Sequence, residues 1–224
     1  MAGFKIPKSL IWVNFMYIQT EGIVISHKDF QEADKLLTIY TNTHGKISCI
    51  AKGARRPRSK KAGHIQLGTW CKLLVARGKN IDLLCEVETI RAFGLENLTF
   101  TKSSQIYHLL ELIDYLTEPH QVNRQAFSLL ANFLRKVNSD DNFKLLASVF
   151  KVKLLSNLGF FSSRNLKNSD LKKFFETLES QDFDQLQDKI KLEDKNYLKL
   201  SAFLDSMIEN LAQRKLKTAK FIYG

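Results

Sequence analysis

Residues 81–90 read IDLLCEVETI, and their alternation decides the fold class of the amino-terminal part of the chain. The apolar residues at alternate positions are Ile81, Leu83, Cys85 and Val87. The acidic residues between them are Asp82, Glu86 and Glu88. A period of two is typical of a strand with one face against a core and the other in water. The stretch therefore predicts a half-buried strand of an antiparallel sheet.

Four more runs of apolar and β-branched residues precede it, at 18–26, 36–41, 47–52 and 67–75. Short turn sequences separate several of them, NTHG at 42–45 and RGKN at 77–80. Such turns join neighbouring antiparallel strands. Five antiparallel strands within about 75 residues suit a small barrel, and the OB fold is the five-stranded barrel that binds nucleic acid.

Beyond residue 93 the apolar residues recur at helical spacing. Three clear groups are Ile106, Leu109, Leu110, Ile113 and Leu116; Phe127, Leu130, Phe133, Leu134 and Val137; and Phe143, Leu146, Phe150, Leu154 and Leu158. We therefore predict an α+β chain, with an OB-fold barrel at residues 16–92 and an α-helical domain at 93–224. Residues 1–15 are expected to be a disordered extension or the result of a misassigned start.

The net charge of +11 comes from one stretch. Between Asp34 and Asp82 the chain has eleven basic residues and no acidic one, and the remainder balances at 34 − 11 = 23 basic against 23 acidic residues. Charge concentrated in this way builds a local field that attracts a polyanion. Nucleic acid is the first candidate.

The most basic segment is the loop KGARRPRSKKAG at residues 52–63, between the third and fourth predicted strands. Its first ten residues hold six cations whose mutual repulsion opposes a compact loop, whereas phosphate removes that repulsion and releases counterions. The alternative to phosphate binding is a solvated basic loop or a localisation-like signal. The predicted nucleic-acid contacts are Lys35, Lys46, Lys52, Arg55, Arg56, Arg58, Lys60, Lys61, Arg77 and Lys79. No recognition helix or zinc module accompanies them, so we expect no reading of base sequence.

Aromatic residues near this stretch could stack on bases. The candidates are Phe30, Tyr40 and Trp70. Tyr40 and Trp70 lie within strand patterns, where core packing is the simpler role. Phe30 falls in a predicted loop and is the preferred stacking candidate.

The sequence offers little for catalysis. It has no phosphate-binding P-loop, nucleophile elbow or HExxH motif, and no obvious pair of carboxylates for two metals. Cys49, Cys71 and Cys85 have no ligand spacing, so we expect no metal, cofactor or disulfide, and a reducing cytoplasm. The apolar run at 10–18 is far shorter than a membrane span. Two alternatives stay open: a nuclease or other nucleic-acid enzyme with an unfamiliar metal site, and a basic module that binds folded RNA or anionic membrane.

The order of several motifs resembles one family. These motifs are TEGIV at 20–24, EADKLLT at 32–38, HGK at 44–46 and AKGARRP at 51–57. Together they resemble the amino-terminal domain of the RecO recombination-mediator family. Further on, LLSNLGF at 154–160 resembles the family's LLxxLGY helix end, and RKLKTAKF at 214–221 its basic finish.

The resemblance implies a non-enzymatic DNA repair and recombination mediator. Such proteins bind DNA, anneal single strands and, with RecR, help load RecA recombinase onto strands coated by single-stranded-DNA-binding protein. The family's four-cysteine zinc element is missing, since residues 161–170 contain no cysteine. The helical domain of the family contacts the acidic, apolar tail of the single-stranded-DNA-binding protein. Candidate residues for that contact are Lys151, Lys153, Arg214, Lys215 and Lys217.

Overall fold

A computed structural model describes residues 16–137, 142–186, 190 and 193–223. The predicted extension at residues 1–15 lies outside this part of the chain. The described residues fall into two compact units, a barrel formed by 16–92 with 118–122 and a helical unit formed by 93–117 with 123–223. Residues 118–122, which the sequence assigns to the helical domain, therefore belong to the barrel unit.

The barrel contains five strands: β1 (Tyr17–Phe30), β2 (Asp34–Thr41), β3 (Gly45–Ala51), β4 (Trp70–Ala76) and β5 (Asp82–Arg91). They close in the order β1-β2-β3-β5-β4. The long strand β1 makes closure possible, because residues 17–23 pair with β4 while residues 22–30 pair with β2. Strands β3 and β5 run parallel, with Cys49 opposite Asp82 and Ile50 opposite Leu83. The prediction of a five-stranded barrel of the OB type, followed by helices, is confirmed.

The barrel core is filled by apolar side chains from all five strands. It includes Ile18, Val24, Leu37, Ile39, Ile47, Cys49, Leu73, Val75 and Leu84. The connection between β3 and β4 adds Ala54 and Ile65, of which Ile65 ends a short 3₁₀ helix, Ala62–Ile65. This connection therefore takes part in the core as well as carrying charge.

Strand β5 departs from the simple alternation that its sequence suggests. Val75 pairs with Leu84 but the adjacent Leu74 pairs with Glu86, so Cys85 is an extra residue at a bulge. As a result Leu84 is the fully buried residue, while Ile81 is exposed. The predicted inward face of Ile81, Leu83 and Cys85 is therefore wrong, because a bulge shifts the side-chain period by one residue.

Residues 118–122 lie against the start of β3. The His120 N–H donates to the Lys46 carbonyl at 2.9 Å, and Lys46 and Pro119 form a parallel bridge. At the neighbouring Gly45, where φ is +66°, an added Cβ would lie 2.3 Å from the carbonyl oxygen of Gln121. The close approach of residues 118–122 to β3 therefore requires a glycine at position 45.

The helical unit contains seven α-helices among its described residues. They are α1 (Phe100–Leu116), α2 (Arg124–Lys136), α3 (Phe143–Asn157), α4 (Ser169–Ser180), α5 (Phe183–Leu186), α6 (Asp194–Ala212) and α7 (Lys220–Tyr223). Side chains of Thr99, Asn123 and Asn168 accept backbone N–H bonds at the starts of α1, α2 and α4. Such caps satisfy donors that have no partner within the helix.

A buried carboxylate, Asp205 on α6, connects three helices of this unit. Lys151 Nζ lies 2.7 Å from Asp205 Oδ1 and 2.6 Å from Ser201 Oγ, and His108 Nε2 lies 3.0 Å from Asp205 Oδ2. Burial alone would raise the pKa of Asp205, but the bond from His108 and the charge of Lys151 outweigh it and lower the pKa to about 2. Asp205 is therefore an ionised hub between α1, α3 and α6.

The same histidine extends the network to residues 217–218. His108 Nδ1 lies 2.7 Å from Thr218 Oγ1, and the Thr218 hydroxyl also contacts Glu111. Backbone N–H groups of Lys217 and Thr218 each donate to Glu111 at 3.0 Å, and these hydrogen bonds hold the pKa of Glu111 low against the opposing effect of burial. The Thr218 hydroxyl therefore links Glu111 to His108.

We predict that replacing Gly45 with Ala destabilises the barrel by about 2 to 5 kcal/mol. Left-handed backbone strain in a residue with a Cβ contributes about 1 to 2 kcal/mol, and the clash with Gln121 adds about 1 to 3 kcal/mol. Urea unfolding followed by circular dichroism measures the change. The matched control is Gly53→Ala, because Gly53 has the same φ of +66° but its nearest Cβ contact is 3.6 Å away. Equal losses in the two variants would contradict the packing of residues 118–122 on β3.

Candidate nucleic-acid interface

The basic loop, residues 52–63, is folded against the barrel. Its Gly53 N–H donates to Asp34 Oδ1 at 2.8 Å, and its Arg55 N–H donates to the Ala33 carbonyl at 2.9 Å. Ala54 between them is almost fully buried. The sequence predicted a loop without compact structure because of charge repulsion. The structure differs because a buried side chain and the β1–β2 hairpin hold the loop in place.

Two cations of the loop take part in this attachment. The guanidinium of Arg55 lies 3.3 Å from Asp29 Oδ2 and donates to the Glu32 carbonyl at 3.2 Å. Lys61 Nζ donates to the Leu84 carbonyl at 2.7 Å. Arg55 and Lys61 therefore stabilise the loop, and their charges are less available to an external phosphate.

Two more of the predicted contacts, Lys35 and Lys46, have largely covered side chains. Lys35 lies 3.6 Å from Asp29 and 3.4 Å from His27 Nδ1, and its side chain is largely covered. Lys46 is only 9% exposed, because it lies on β3 beside residues 118–122. Both stay predictions as phosphate contacts, with side chains less accessible than the charge pattern suggests.

The remaining six predicted cations project into solvent, in two groups: Lys52, Arg56, Arg58 and Lys60 in the basic loop, and Arg77 and Lys79 in the β4–β5 turn. The loop group follows the last residue of β3. The turn group lies beside the first half of β3, because β5 runs parallel to β3 and begins opposite Cys49. Strand β3 has seven residues and so separates the groups by about 20 Å.

The electrostatic effect of the turn group is visible at His44, which lies in the β2–β3 turn. Burial lowers the pKa of His44, and the charges of Arg77 and His120 lower it further. Arg77 is therefore close to the beginning of β3. This proximity supports the placement of the turn group at that end of the strand.

Between the two cation groups lies the outer face of β2 and β3. Leu36 pairs with Ile50 and Thr38 pairs with Ser48 across this face. Ser48 is exposed and the other three residues are half-buried. An uncharged face of small and apolar side chains, bordered by cations, fits the strands that OB folds use to hold single-stranded oligonucleotides.

The opposite side of the barrel has a different charge balance. On β4, Lys72 lies between Glu21 of β1 and Glu88 of β5, and Glu86 is opposite Leu74. All four charged side chains are exposed. The strand order thus surrounds the one cation of β4 with acidic residues. A polyanion is consequently favoured on the β2–β3 side.

The three aromatic candidates are buried or half-buried. Phe30 is the last residue of β1, opposite Asp34, and is half-buried. Its placement in a loop is therefore wrong, because β1 extends into the hairpin. Tyr40 is completely buried, and burial raises its pKa to about 12. Trp70 is half-buried in β4.

The candidates for partner binding occupy three different environments. Lys151 is buried in the Asp205 network, so it does not present its ammonium to a partner. Lys153 is half-buried and donates to the Glu179 carbonyl at 3.2 Å, and burial lowers its pKa. Arg214 stacks on Tyr115, with 3.6 Å between the guanidinium carbon and the ring centroid. Lys215 and Lys217 are exposed on the same segment.

An apolar groove between α4 and α6 was missed by the sequence reading. It has a volume of about 510 Å³ and is lined by Leu166, Leu171, Phe174, Phe175, Ile190, Asn196, Lys199, Leu200 and Phe203. Its residues come from segments about 30 positions apart, so no local pattern could identify it. Phe203 and Leu171 are each about half exposed, which leaves apolar surface open to a partner.

The described residues contain no group of three or more His, Cys, Asp or Glu side chains that could hold a metal ion. Burial raises the pKa of the Cys49 and Cys71 thiols to about 12, so neither is an activated nucleophile. Within the described part of the chain, no helix has the length and apolar character needed to cross a membrane.

Comparison with known proteins identifies one family for both units. Residues 16–93 match the model described as "Recombination protein O N terminal", and residues 98–163 match "Recombination protein O C terminal". A protein named DNA repair protein RecO from Roseiflexus sp. is 34% identical over 142 residues, which are 63% of this chain and 50% of the relative. One of the same name from Moorella thermoacetica is 34% identical over 141 residues, 63% of this chain and 52% of the relative.

A third relative, also named DNA repair protein RecO, comes from Halalkalibacterium halodurans. It is 29% identical over 144 residues, which are 64% of this chain and 57% of the relative. In these comparisons the chain spans about half the length of the relatives it matches.

We predict that Asp34→Ala loosens the basic loop without unfolding the barrel. Removing the acceptor of the Gly53 N–H leaves a hydrogen bond of about 1.5 kcal/mol unmade, so amide hydrogen exchange in residues 53–59 should accelerate about tenfold. Hydrogen-exchange mass spectrometry measures this. Asp82→Ala is the matched control, because Asp82 accepts from Gly78 at 3.1 Å in the β4–β5 turn. Unchanged exchange at 53–59 in Asp34→Ala would show that Asp34 does not anchor the loop.

Proposed function

The chain belongs to the recombination protein O family of DNA repair proteins, and on that premise we propose that it binds single-stranded DNA and anneals complementary strands. We further propose that it helps load RecA recombinase onto strands coated by single-stranded-DNA-binding protein, without hydrolysing nucleotides. Its site of action in this proposal is the cytoplasm, at the nucleoid.

The observation that carries this proposal is the pair of exposed cation groups on either side of the β2–β3 face. Six cations in two groups about 20 Å apart can contact phosphates at separate points along one nucleic-acid strand. Each phosphate contact releases counterions. The face between them carries small hydroxyl and apolar side chains, which lack the bidentate groups that read base edges. Binding of this kind is independent of base sequence, as annealing of arbitrary strands requires.

Annealing needs no active site. Two complementary strands repel each other through their phosphates, so a protein that neutralises both lowers the barrier to their encounter. The anchoring of the basic loop adds to this effect, because cations held in fixed positions lose less conformational entropy when phosphates bind. The protein therefore acts as a carrier of fixed positive charge.

For the helical unit we propose contacts with protein partners, RecR and the tail of the single-stranded-DNA-binding protein. The apolar groove between α4 and α6 is the best place for an acidic, apolar peptide. Phe174 and Phe203 provide apolar contact, and the exposed Lys199 at the groove provides the opposite charge. Among the described residues that line the groove, none is acidic.

We predict that Lys52→Ala, Arg56→Ala and Arg58→Ala together weaken binding to single strands of every sequence alike. Losing three phosphate contacts at about 0.7 each should reduce the slope of log affinity against log salt by about 2. Fluorescence anisotropy with labelled strands over a range of salt concentrations measures both quantities.

The control removes the same charge from the helical unit through Lys172→Ala, Lys173→Ala and Lys195→Ala. It should keep the parent slope, since a change in net charge alone does not remove the local contacts. An unchanged slope in the loop variant would contradict the barrel site. Mg²⁺-dependent strand cleavage by the parent protein would instead identify an enzyme.

We predict that Phe203→Asp in the groove abolishes binding to the acidic tail peptide while naked-strand annealing stays within about twofold of the parent. A buried carboxylate beside an acidic peptide adds both repulsion and desolvation. Leu198→Asp is the control, because Leu198 is similarly exposed on α6 but does not line the groove. Peptide affinity by calorimetry and annealing by fluorescence quenching distinguish the two effects; equal peptide affinity in both variants would place the tail elsewhere.

A further inference from the structure

Residues 213–223 run along α1 in the opposite direction to the helix. Arg214 stacks on Tyr115, Thr218 bonds to Glu111 and His108, and the ring of Phe221 lies 6.3 Å from that of Phe100. From Tyr115 to Phe100 the helix rises about 22 Å. The segment and the helix together form a surface that we call the α1 strip, consisting of Arg214, Lys215, Lys217, Lys220 and Phe221 with Phe100, Tyr107 and Tyr115.

The α1 strip is positively charged. Four cations lie within residues 214–220, and residues 210–224 contain no acid. The nearest carboxylates are already engaged: Glu111 accepts from Lys217 and Thr218, and Glu209 accepts from Lys215 and Leu216. The side chains of Lys217 and Lys220 are exposed to solvent.

Aromatic rings are exposed beside these cations. Phe100 is 72% and Phe221 51% exposed, and the two rings meet edge to face at an angle of 85°. Tyr107, two helical turns from Phe100, is also exposed. Rings this exposed offer a face to a flat base rather than a recess for an apolar peptide side chain. Exposed aromatic faces beside cations suit a single strand of nucleic acid.

The strip is held in shape before any ligand binds. The Arg214 guanidinium stacks on the ring of Tyr115. Burial and the hydrogen bond to Glu111 raise the pKa of Tyr115 to about 12. Thr218 is tied through His108 to the buried Asp205. Preorganisation reduces the entropy that a ligand must overcome on binding.

We propose that the α1 strip is a second binding site for single-stranded nucleic acid, with phosphates on Arg214, Lys217 and Lys220 and bases stacked on Phe100 and Phe221. This inference rests on the proposed function and deepens it. One molecule then carries two sites for single strands, one on the barrel and one on the helical unit. A strand held at one site raises the effective concentration of a strand held at the other, which accelerates annealing without any new contact.

The test uses the full chain and a thymidine strand of about 40 nucleotides, longer than the roughly 4 to 16 that one barrel occupies. Lys217→Ala with Lys220→Ala should reduce the salt slope by about 1.4, from two contacts at about 0.7 each. Phe100→Ala with Phe221→Ala should weaken binding at high salt by at least about fivefold, because stacking depends little on salt. Both variants should slow annealing of naked strands. Strands carrying 5-bromodeoxyuridine should crosslink to peptides that contain Phe100 or Phe221.

The matched control is Phe160→Ala with Lys173→Ala and Lys195→Ala, exposed residues of the same unit outside the strip. It should bind and anneal as the parent does. If the aromatic variant loses its folded melting transition, the lysine variant and the crosslinks still decide, since the lysine side chains are exposed.

The outcomes separate the two proposals. If the basic-loop variant loses affinity while both strip variants keep the parent slope and no crosslink maps to the strip, the proposed function stands and the second site is refuted. If the basic-loop variant also binds as the parent does, the proposed function fails. Loss of affinity only for the acidic tail peptide would make the strip a peptide site and overturn the inference.

Discussion

Repulsion between like charges is the constraint on which the barrel unit depends. The β3–β4 connection lies in a stretch of eleven cations without an intervening acid. Their mutual repulsion opposes the folding of this connection against the barrel. The chain opposes them with acids placed just before the cationic stretch, since Asp29 and Asp34 contact Arg55 and Gly53. Of the ten predicted contacts, Lys35 and Arg55 lie beside Asp29, Lys61 bonds to the Leu84 carbonyl and Lys46 is buried. The six that remain are exposed in two groups.

In the helical unit the corresponding constraint is charge burial. Lys151 and Asp205 lie in the interior, where an unpaired charge is expensive and a fully bonded network is tolerated. His108 bonds to Asp205 through Nε2 and to Thr218 through Nδ1, and the backbone N–H groups of residues 217 and 218 donate to Glu111. These bonds tie residues 217–218 to α1 and so determine where the basic segment can lie.

The sequence predicts the barrel, the helices and the excess of cations because each of these has a local signature. Period two, period 3.6 and a gap in acidic residues are all readable within a few tens of positions. The bulge at Cys85 is not readable, because it depends on how β4 and β5 align. The burial of Lys46 and Lys151 is not readable either, since each is covered by residues distant in the chain. The groove between α4 and α6 was missed for the same reason.

Folding also changes the meaning of the charge count. In the sequence, Lys72 belongs to the basic stretch, but the strand order places it between Glu21 and Glu88. Conversely, residues 214–220 contribute only four cations to the charge count. Their position along α1 nevertheless places these cations beside exposed aromatic rings. Net charge therefore predicts that a polyanion binds, whereas strand order and buried pairs decide where.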